Sequence, residues 1–354
     1  MLEIGPMGSL LPDIAEIAVL RGGGLGDLMF ALPAIQSLAD AYPGARITLL
    51  GTSLHAQLLT GRPGPVDEAV VLPVARGVYE PAGAHEDPAE QERFFERSFD
   101  LAIQVHGGGR WSNPFLRRLN TQWTAGLRTP DAADLDRWLP YRYYQHEMMR
   151  ALEVVGLVGA VPTCLTANVE VTPEDLAEAD TALAGLSPPI LTVHPGATDP
   201  RRHWPASSFV EVMSAVAGRA SVVVVGTTGP EAEVAELAAG QGLEVRSLVG
   251  GLSISGLVGV LRQSDVVLAN DSGPGHLAHA VGTPTVSIYW LSNAMNAAPH
   301  GRALHRPHIS WTTHCPVCGV SCTRQDIPRC AHDVSLVADV PAADVVADVI
   351  ELLG

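Results

Sequence analysis

The chain has 354 residues, of which 47% are hydrophobic and 17% are charged, and its formal net charge at pH 7 is −16. This length exceeds what one compact core usually organises, so we expect two domains. The negative charge argues against a nucleic-acid partner and against binding to an anionic membrane. Since no run approaches the roughly 20 apolar residues of a membrane span and no signal peptide is recognisable, the sequence predicts a cytoplasmic protein without a membrane span.

A glycine-rich turn between a strand and a helix opens the first half of the chain. The apolar run over 17–20 predicts a strand, and the turn covers 21–27. A helix over 28–41 and a strand over 45–50 then complete a βαβ unit. The turn lacks a full dinucleotide-binding fingerprint, because Asp27 takes the place of the third glycine and no carboxylate for a ribose ends the second strand. We expect Asp27 to face a ligand; a helix N-cap is the alternative for this residue.

A third predicted strand, over 99–105, leads into a second glycine-rich loop. The preceding stretch, 61–98, is rich in Pro, Gly and charge and predicts exposed loops and short helices. Parallel strands present ligands at their carboxyl ends, so polar residues after this strand and glycines of the first turn are candidates for contacting a ligand. A flexible glycine loop is the alternative interpretation. The candidates are Gly24, Gly26, Gln104, His106, Arg110 and Asn113.

The second half repeats the alternation of strands and helices. Its predicted strands cover 190–193, 221–225, 246–250, 266–269 and, as the final strand, 285–289. Predicted helices cover 146–155 and 173–184 at the end of the first half and 206–217 and 254–263 in the second. Regular alternation predicts an α/β fold with two doubly wound parallel sheets, in domains 1–186 and 187–354. We expect ligands to bind in a cleft between the domains, at the carboxyl ends of the strands.

The turn after the predicted strand over 266–269 has the features of an anion site. It reads Asp271-Ser272-Gly273-Pro274 and opens a short helix. The first turn of a helix presents free backbone N–H groups and the positive end of the helix dipole, which suit a diphosphate. The alternative is an ordinary connection from strand to helix, with Asp271 as the N-cap.

Four cysteines lie close together near the end of the sequence, with His314 and His332 beside them. Four thiolates could form a tetrahedral zinc site, and the first gap, of two residues, is typical of such sites. Reduced buried thiols or one disulfide are the alternatives. The four cysteines are Cys315, Cys318, Cys322 and Cys330.

In this order, the motifs resemble the ADP-heptose heptosyltransferases and their relatives, glycosyltransferase family 9. The resemblance rests on 21–27 with Pro33, on 198–205, on Asp271 to Pro274 with His276, and on the cysteine segment. It implies the GT-B fold, in which two Rossmann-like domains face each other across a cleft. It also implies an inverting glycosyltransferase that moves a heptose or related sugar from an ADP-sugar to an acceptor and needs no catalytic cofactor.

The resemblance also implies roles for individual residues. Asp27 matches the catalytic base. The six candidates named above, from the first glycine turn and the third strand with its loop, lie on the acceptor side. Arg202 stands where many members have lysine, and Ser272 replaces a common threonine. Glu231 lies near the position of a carboxylate that faces the donor ribose, and Glu233 is nearly as good a match. The donor-side residues are Thr198, Arg202, Glu231, Asp271, Ser272, Gly273, Pro274 and His276.

The acceptor is the least specified part of this interpretation. An acidic cluster before the third strand disfavours a phosphorylated lipid and favours a small neutral or cationic molecule, such as a natural product. A lipopolysaccharide core glycan is the alternative acceptor, and we expect a monomer or weak dimer. A non-catalytic nucleotide-sugar-binding protein and a nucleotide-dependent oxidoreductase are the alternatives from other classes. The acidic cluster comprises Glu86, Asp87, Glu90, Glu92 and Glu96.

Overall fold

The computed structural model describes residues 8–227 and 229–354, which divide into two compact units. The first unit ends at Glu170, and the second runs Val171–Gly354. No helix in these two described ranges is long and apolar enough to cross a membrane.

The first unit contains a six-stranded parallel sheet with strand order β3-β2-β1-β4-β5-β6. Its strands are β1 Glu16–Leu20, β2 Arg46–Gly51, β3 Glu68–Val71, β4 Ser98–Gln104, β5 Asn120–Arg128 and β6 Arg137–Pro140. Its helices are α1 Leu25–Ala41, α2 Ser53–Leu59, α3 Pro88–Phe95, α4 Ser112–Leu116 and α5 Glu147–Gly156. The three strands expected from apolar runs are confirmed as β1, β2 and β4, whereas β3, β5 and β6 were not predicted.

The second unit contains a six-stranded parallel sheet with strand order β12-β11-β10-β7-β8-β9. Its strands are β7 Ile190–His194, β8 Ser221–Val224, β9 Val245–Ser247, β10 Val266–Asn270, β11 Thr285–Trp290 and β12 His305–Ser310. Its helices are α6 Pro173–Ala182, α7 Ala206–Ala215, α8 Pro230–Gly240, α9 Ile254–Gln263, α10 Gly273–Ala280, α11 Leu291–Ala297 and α12 Ala342–Leu353, with a 3₁₀ turn at Pro200–Arg202. The expectation that the strand over 285–289 is the final one is wrong, because β12 pairs with it at the sheet edge.

Both sheets have the same order of strands. Reading β7 to β12 as the first to sixth strands of its sheet, each sheet follows the order 3-2-1-4-5-6. The direction of winding reverses between β1 and β4 in the first unit and between β7 and β10 in the second. Open α/β sheets bind ligands beyond the strand carboxyl ends at such a reversal. This rule makes the turns after β1, β4, β7 and β10 the candidate ligand sites of the two units.

The boundary between the units lies upstream of the predicted boundary after residue 186, because α6 belongs to the second unit. Ala179 of α6 is fully buried in a cluster with Val223 and Val260. Its Glu178 carboxylate accepts hydrogen bonds from the backbone N–H and the hydroxyl of Ser253, the N-cap of α9. These contacts fix α6 against α9 and the second sheet.

Candidate functional site

In the second unit, the carboxyl end of β10 leads directly into α10. Ser272 is the N-cap of α10, and Pro274 lies in its first turn. The backbone N–H groups of Gly273 and Gly275 also lie there, where a helix supplies no intrahelical acceptors. The predicted turn from strand to helix is therefore present, with Ser272 rather than Asp271 as the N-cap.

Asp271 connects two basic side chains at this turn. It is 3% exposed. Its Oδ1 lies 3.0 Å from Nε2 of His276, and its Oδ2 accepts a hydrogen bond of 3.0 Å from Nη1 of Arg202. Burial by itself raises the pKa of Asp271, but the hydrogen bond with His276 and the charge of Arg202 outweigh it and hold that pKa below its ordinary value. Asp271 is thus a buried carboxylate that orients both partners.

Only one nitrogen of the Arg202 guanidinium, Nη1, contacts Asp271. Its Nη1 also donates to the backbone oxygen of Asp271 at 3.3 Å, which places the guanidinium beside the start of α10. Its Nε and Nη2 have no hydrogen-bond partner within residues 8–227 and 229–354, and the side chain is 21% exposed. A guanidinium held by one nitrogen with its other N–H groups available suits an oxyanion such as a phosphate.

His194, the last residue of β7, links the cap of α10 to Glu231. Its Nδ1 lies 3.0 Å from Oγ of Ser272, and its Nε2 lies 3.4 Å from Oε1 of Glu231. Burial lowers the pKa of His194 to about 4 and raises the pKa of Glu231 above its ordinary value. His194 was not among the predicted site residues, although its place at the end of a buried strand is the same feature that indicated Asp271.

Glu231 is enclosed by two glycine loops. A Cβ atom on Gly196 or Gly226 would overlap its side chain, so both positions require glycine while Glu231 keeps this conformation. Its Oε2 is buried and has no hydrogen-bond partner among the described residues. Glu233, the alternative for the same role, is exposed. An unsatisfied buried carboxylate oxygen is costly unless something hydrogen-bonds to it, so this atom is a candidate for a ligand contact.

The loop after β7 is fixed to β10 by a residue that sequence analysis also missed. Asn270 accepts a hydrogen bond from the backbone N–H of Trp204 at 3.2 Å and donates one to the backbone oxygen of Pro195 at 2.5 Å. Thr198, a predicted donor-side residue, is exposed on this loop. The loop therefore carries Thr198 and Arg202 at the carboxyl edge of the second sheet.

In the first unit, Asp27 lies at the third position of α1 and not at its N-cap, which is Gly24. Its Oδ2 accepts a hydrogen bond from the backbone N–H of Gly24 at 2.8 Å, and its Oδ1 pairs with Nη2 of Arg21. Arg21 is 5% exposed and also donates to the backbone oxygen of Val105. The Asp27 side chain nevertheless remains 45% exposed. A buried arginine thus holds a partly exposed carboxylate at the carboxyl edge of the first sheet.

The other predicted acceptor-side residues divide into two groups. Gln104 and Asn113 are fully buried, contrary to the expectation that they face a ligand. Gln104 donates a hydrogen bond to the Asn113 side chain at 2.9 Å and accepts one from the backbone N–H of His106. Asn113 donates to the backbone oxygens of Leu127 and Ala133. Both side chains therefore fix the conformation of the loop after β4. The Arg110 side chain is 66% exposed and lies 3.6 Å from Asp131. Gly26 lies in the first turn of α1.

A cavity of about 460 Å³ adjoins the glycine turn of the first unit. Gly23 and His106 line it together with Thr52, Ser53, Tyr79 and Glu80. Nε2 of His106 lies 3.3 Å from the backbone oxygen of Gly77. Burial, and next the positive charge of Arg21, lower the pKa of His106 below its ordinary value. The lining combines polar side chains and one carboxylate with apolar side chains such as Leu54 and Val78.

Comparison with known proteins identifies the family. The sequence model of glycosyltransferase family 9 (heptosyltransferase) matches residues 91–315, more than half of the chain. The chain belongs to glycosyltransferase family 9. The chain is 26% identical over 328 residues to the lipopolysaccharide heptosyltransferase 1 of Pseudomonas aeruginosa, with 88% of each protein covered.

Solved structures confirm the fold of this family 9 glycosyltransferase. A glycosyltransferase family 9 protein from Veillonella parvula superposes with a TM-score of 0.77 at 19% identity, covering 96% of this chain and 97% of that one. The heptosyltransferase WaaC of E. coli, solved with ADP, superposes with a TM-score of 0.65 at 17% identity, covering 95% and 97%. The predicted pair of Rossmann-like halves, of the GT-B type, is therefore correct.

The cysteine segment of this family 9 glycosyltransferase differs from the predicted metal set. Ligand atoms of Cys315, Cys318, Cys330 and His332 all lie within 4.8 Å of one another. Cys322 is not part of this group, because its side chain packs against the core of the second unit and its Sγ hydrogen-bonds to the backbone oxygen of Val320. The expectation of four cysteines is wrong on this point, and His332 takes the fourth place.

Proposed function

We propose that this glycosyltransferase binds an ADP-heptose through its second unit and transfers the heptose, with inversion and without a catalytic metal, to an acceptor hydroxyl or amine. The observation that carries the proposal is Arg202, anchored to Asp271 at the start of α10 while its Nε and Nη2 keep N–H groups available. A diphosphate matches both the guanidinium and the helix N-terminus. The ADP bound to WaaC supports adenine as the base of the donor nucleotide.

The same residues support the departure of the nucleoside diphosphate. As the bond between the sugar anomeric carbon and the diphosphate oxygen breaks, its electron pair stays on the diphosphate. Arg202 and the N–H groups at the start of α10 stabilise that growing negative charge, which removes the need for a divalent cation. Glu231 supplies a carboxylate oxygen for the ribose hydroxyls, consistent with the unsatisfied Oε2 of this residue.

Asp27 serves as the base on the acceptor. The acceptor oxygen or nitrogen attacks the anomeric carbon as the diphosphate leaves, through an oxocarbenium-like transition state, and its proton passes to the Asp27 carboxylate. Attack opposite the leaving group inverts the anomeric configuration. The ion pair with Arg21 and the hydrogen bond from Gly24 hold the carboxylate in place, while its partial exposure leaves it accessible to an acceptor.

For the acceptor we propose a small neutral or cationic molecule, such as an aminocyclitol, a nucleoside or another natural product. The residues 80–96 contain six acidic residues and one arginine, and Glu80 lines the cavity beside Gly23 and His106. Negative charge near the acceptor attracts cations and repels phosphorylated glycolipids. The five acidic residues after Glu80 are all exposed: Glu86, Asp87, Glu90, Glu92 and Glu96.

The second candidate acceptor is the core of a lipopolysaccharide. The similarity to a Pseudomonas aeruginosa lipopolysaccharide heptosyltransferase, which covers 88% of both proteins, favours it. The two candidates differ in charge, size and lipid content, so one assay separates them.

The test incubates the purified enzyme with ADP-heptose and two acceptor panels, one of aminocyclitols and nucleosides and one of lipid A–Kdo glycolipids. ADP release and product mass report transfer, and the anomeric configuration of the product reports inversion. Transfer to the small acceptors supports the proposal, and transfer confined to glycolipids overturns the small-acceptor part. In parallel calorimetry we expect ADP to bind more tightly than UDP; the opposite order would refute the donor assignment.

A further inference from the structure

Three thiols and one imidazole surround a common point in the segment between β12 and α12. The ligand atoms of Cys315, Cys318, Cys330 and His332 lie within 4.8 Å of one another, and Sγ of Cys315 lies 3.8 Å from Nδ1 of His332. With Zn–S bonds of about 2.3 Å and Zn–N bonds of about 2.0–2.1 Å, tetrahedral geometry separates ligand atoms by roughly 3.5–3.8 Å. The upper bound of 4.8 Å exceeds this separation by about 1 Å, so small side-chain movements would bring the group to the geometry of one zinc ion.

The first two cysteines lie on a tight turn that is closed by backbone hydrogen bonds. The N–H of Cys315 donates to the backbone oxygen of Val320 at 2.8 Å, and the N–H of Gly319 donates to that of Cys315 at 2.9 Å. Gly319 has a φ of +71°, a conformation that favours glycine. This turn places Cys315 and Cys318 together, and their sulfurs belong to one group of ligand atoms within 4.8 Å of one another.

The grouping is selective among the cysteines of this segment. Cys322 lies between Cys318 and Cys330 in sequence, yet the fold excludes it from the group and includes His332. All of these cysteines are free thiols, and a single disulfide would engage two members and leave the other two without a role. Three sulfurs and one imidazole nitrogen form one of the usual ligand sets of structural zinc.

We propose that Cys315, Cys318, Cys330 and His332 bind one Zn²⁺ ion in a closed tetrahedral site. Binding releases to solvent the proton of each thiol that is still protonated and requires a neutral imidazole, and the filled site carries one net negative charge. No position remains for water or substrate, so the ion has a structural role.

The site holds the segment that supports the loop carrying Arg202. Just beyond His332, the hydroxyl of Ser335 donates to the backbone oxygen of His203 at 2.6 Å, and the N–H of Leu336 donates to that of Arg201 at 2.7 Å. Arg201 and His203 flank Arg202 in sequence. The ion joins the turn at 315–318 to residues 330–332. It thereby stabilises the segment whose Ser335 and Leu336 hydrogen-bond to the loop that carries Arg202. This role rests on the proposed function, whereas zinc binding itself does not.

Elemental analysis of untagged protein purified without chelator tests the site. We expect one zinc per chain in the wild type and its loss in Cys318→Ser, Cys330→Ser and His332→Ala. Cys322→Ser, in the same segment, and Cys164→Ser, in the first unit, are matched controls that keep the metal. A wild type without metal, iron in place of zinc, or equal zinc loss in Cys322→Ser would overturn the proposal.

A measurement on the wild-type protein covers the case in which the ligand variants fail to fold. Exchange of the ion for Co²⁺ should give the intense visible bands of tetrahedral cobalt with thiolate charge transfer, and the weak spectrum of an octahedral ion would refute the site. Zinc removal should lower the melting temperature and weaken ADP binding; if neither changes, the supporting role is wrong. Failure of the zinc-loaded protein to bind ADP would refute the proposed donor site and leave the zinc site standing.

Discussion

At Arg202, one nitrogen of the guanidinium is bound to Asp271 while Nε and Nη2 are available for a ligand. We expect Arg202→Ala to weaken ADP binding by about 1.5–3 kcal/mol, the loss typical of a charge-assisted hydrogen bond. Arg201 is the matched control, because its guanidinium is already engaged by Asp199. Calorimetry should show a much smaller effect for Arg201→Ala. Equal effects of both changes would indicate disruption of the loop rather than loss of a phosphate contact.

Asp27 combines an exposed carboxylate with two contacts that fix it, which is the arrangement a base requires. We expect Asp27→Asn to reduce turnover at least about 100-fold, the usual scale for losing a general base, and to leave ADP affinity unchanged. Asp40→Asn is the control, because Asp40 lies at the other end of α1 and hydrogen-bonds to Gln36. Steady-state kinetics and calorimetry measure both effects. Asp27→Asn protein that retains most of its turnover would make Asp27 only a stabiliser of α1.

The residues of the proposed donor site differ in how far the sequence alone could identify them. The motifs selected Asp271, His276 and Arg202, which meet although Arg202 and Asp271 are 69 positions apart. Asn270 and His194 were missed, because their importance depends on which loops the parallel pairing of β7 and β10 brings together. A local sequence pattern identifies a single turn. The residues of other loops that contact this turn follow only from which strands pair in the sheet.

Among the elements, α6 and α9 pack closely through glycine. A Cβ atom on Gly259 of α9 would overlap the backbone oxygen of Asp175 of α6. Overpacking costs about 1–3 kcal/mol, whereas alanine gains up to about 1 kcal/mol of helix propensity. Because a backbone atom cannot rotate away, we expect Gly259→Ala to lower the free energy of unfolding by about 1–2 kcal/mol. Gly240→Ala in α8 is the control.

The control has no atom within 4 Å of the added methyl group, so Gly240→Ala should leave the free energy of unfolding unchanged or slightly raised. Denaturant unfolding compares the two variants with the wild type. Equal stability of Gly259→Ala and the wild type would mean that α6 shifts away at no cost.

Two of the strands that the sequence missed, β3 and β12, share a physical reason. The strands predicted from apolar runs, such as β4 and β10, are buried almost throughout. β3 is partly exposed, and β12, with the sequence His-Arg-Pro-His-Ile-Ser, contains no apolar run. Both lie at sheet edges and pair with one neighbour only. Such strands are specified by the edge they complete rather than by their own periodicity.

At the scale of the whole molecule, the two units repeat one strand order on separate cores. In the second unit, the core around Phe209 joins β7, α7 and α12, and the core around Ala179 joins α6 to β8 and α9. The first unit has its own cluster around Leu20, Phe94 and Phe115. Because each half buries its own apolar surface, we expect each to fold alone. The stability of the second half as a fragment then depends on the residue at which that fragment begins.

The boundary found in the structure and the one expected from the sequence make different predictions for two fragments. A fragment of residues 171–354 keeps α6, with Ala179 in the core and Glu178 on the N-cap of α9, so we expect cooperative unfolding and ADP binding close to that of the full chain. A fragment of residues 187–354 exposes the glycine face of α9 and should melt at a lower temperature. Calorimetric melting and ADP titration test both, with residues 1–170 as the control that should not bind ADP. Equal melting of the two fragments would show that α6 is dispensable and that the second domain begins at residue 187.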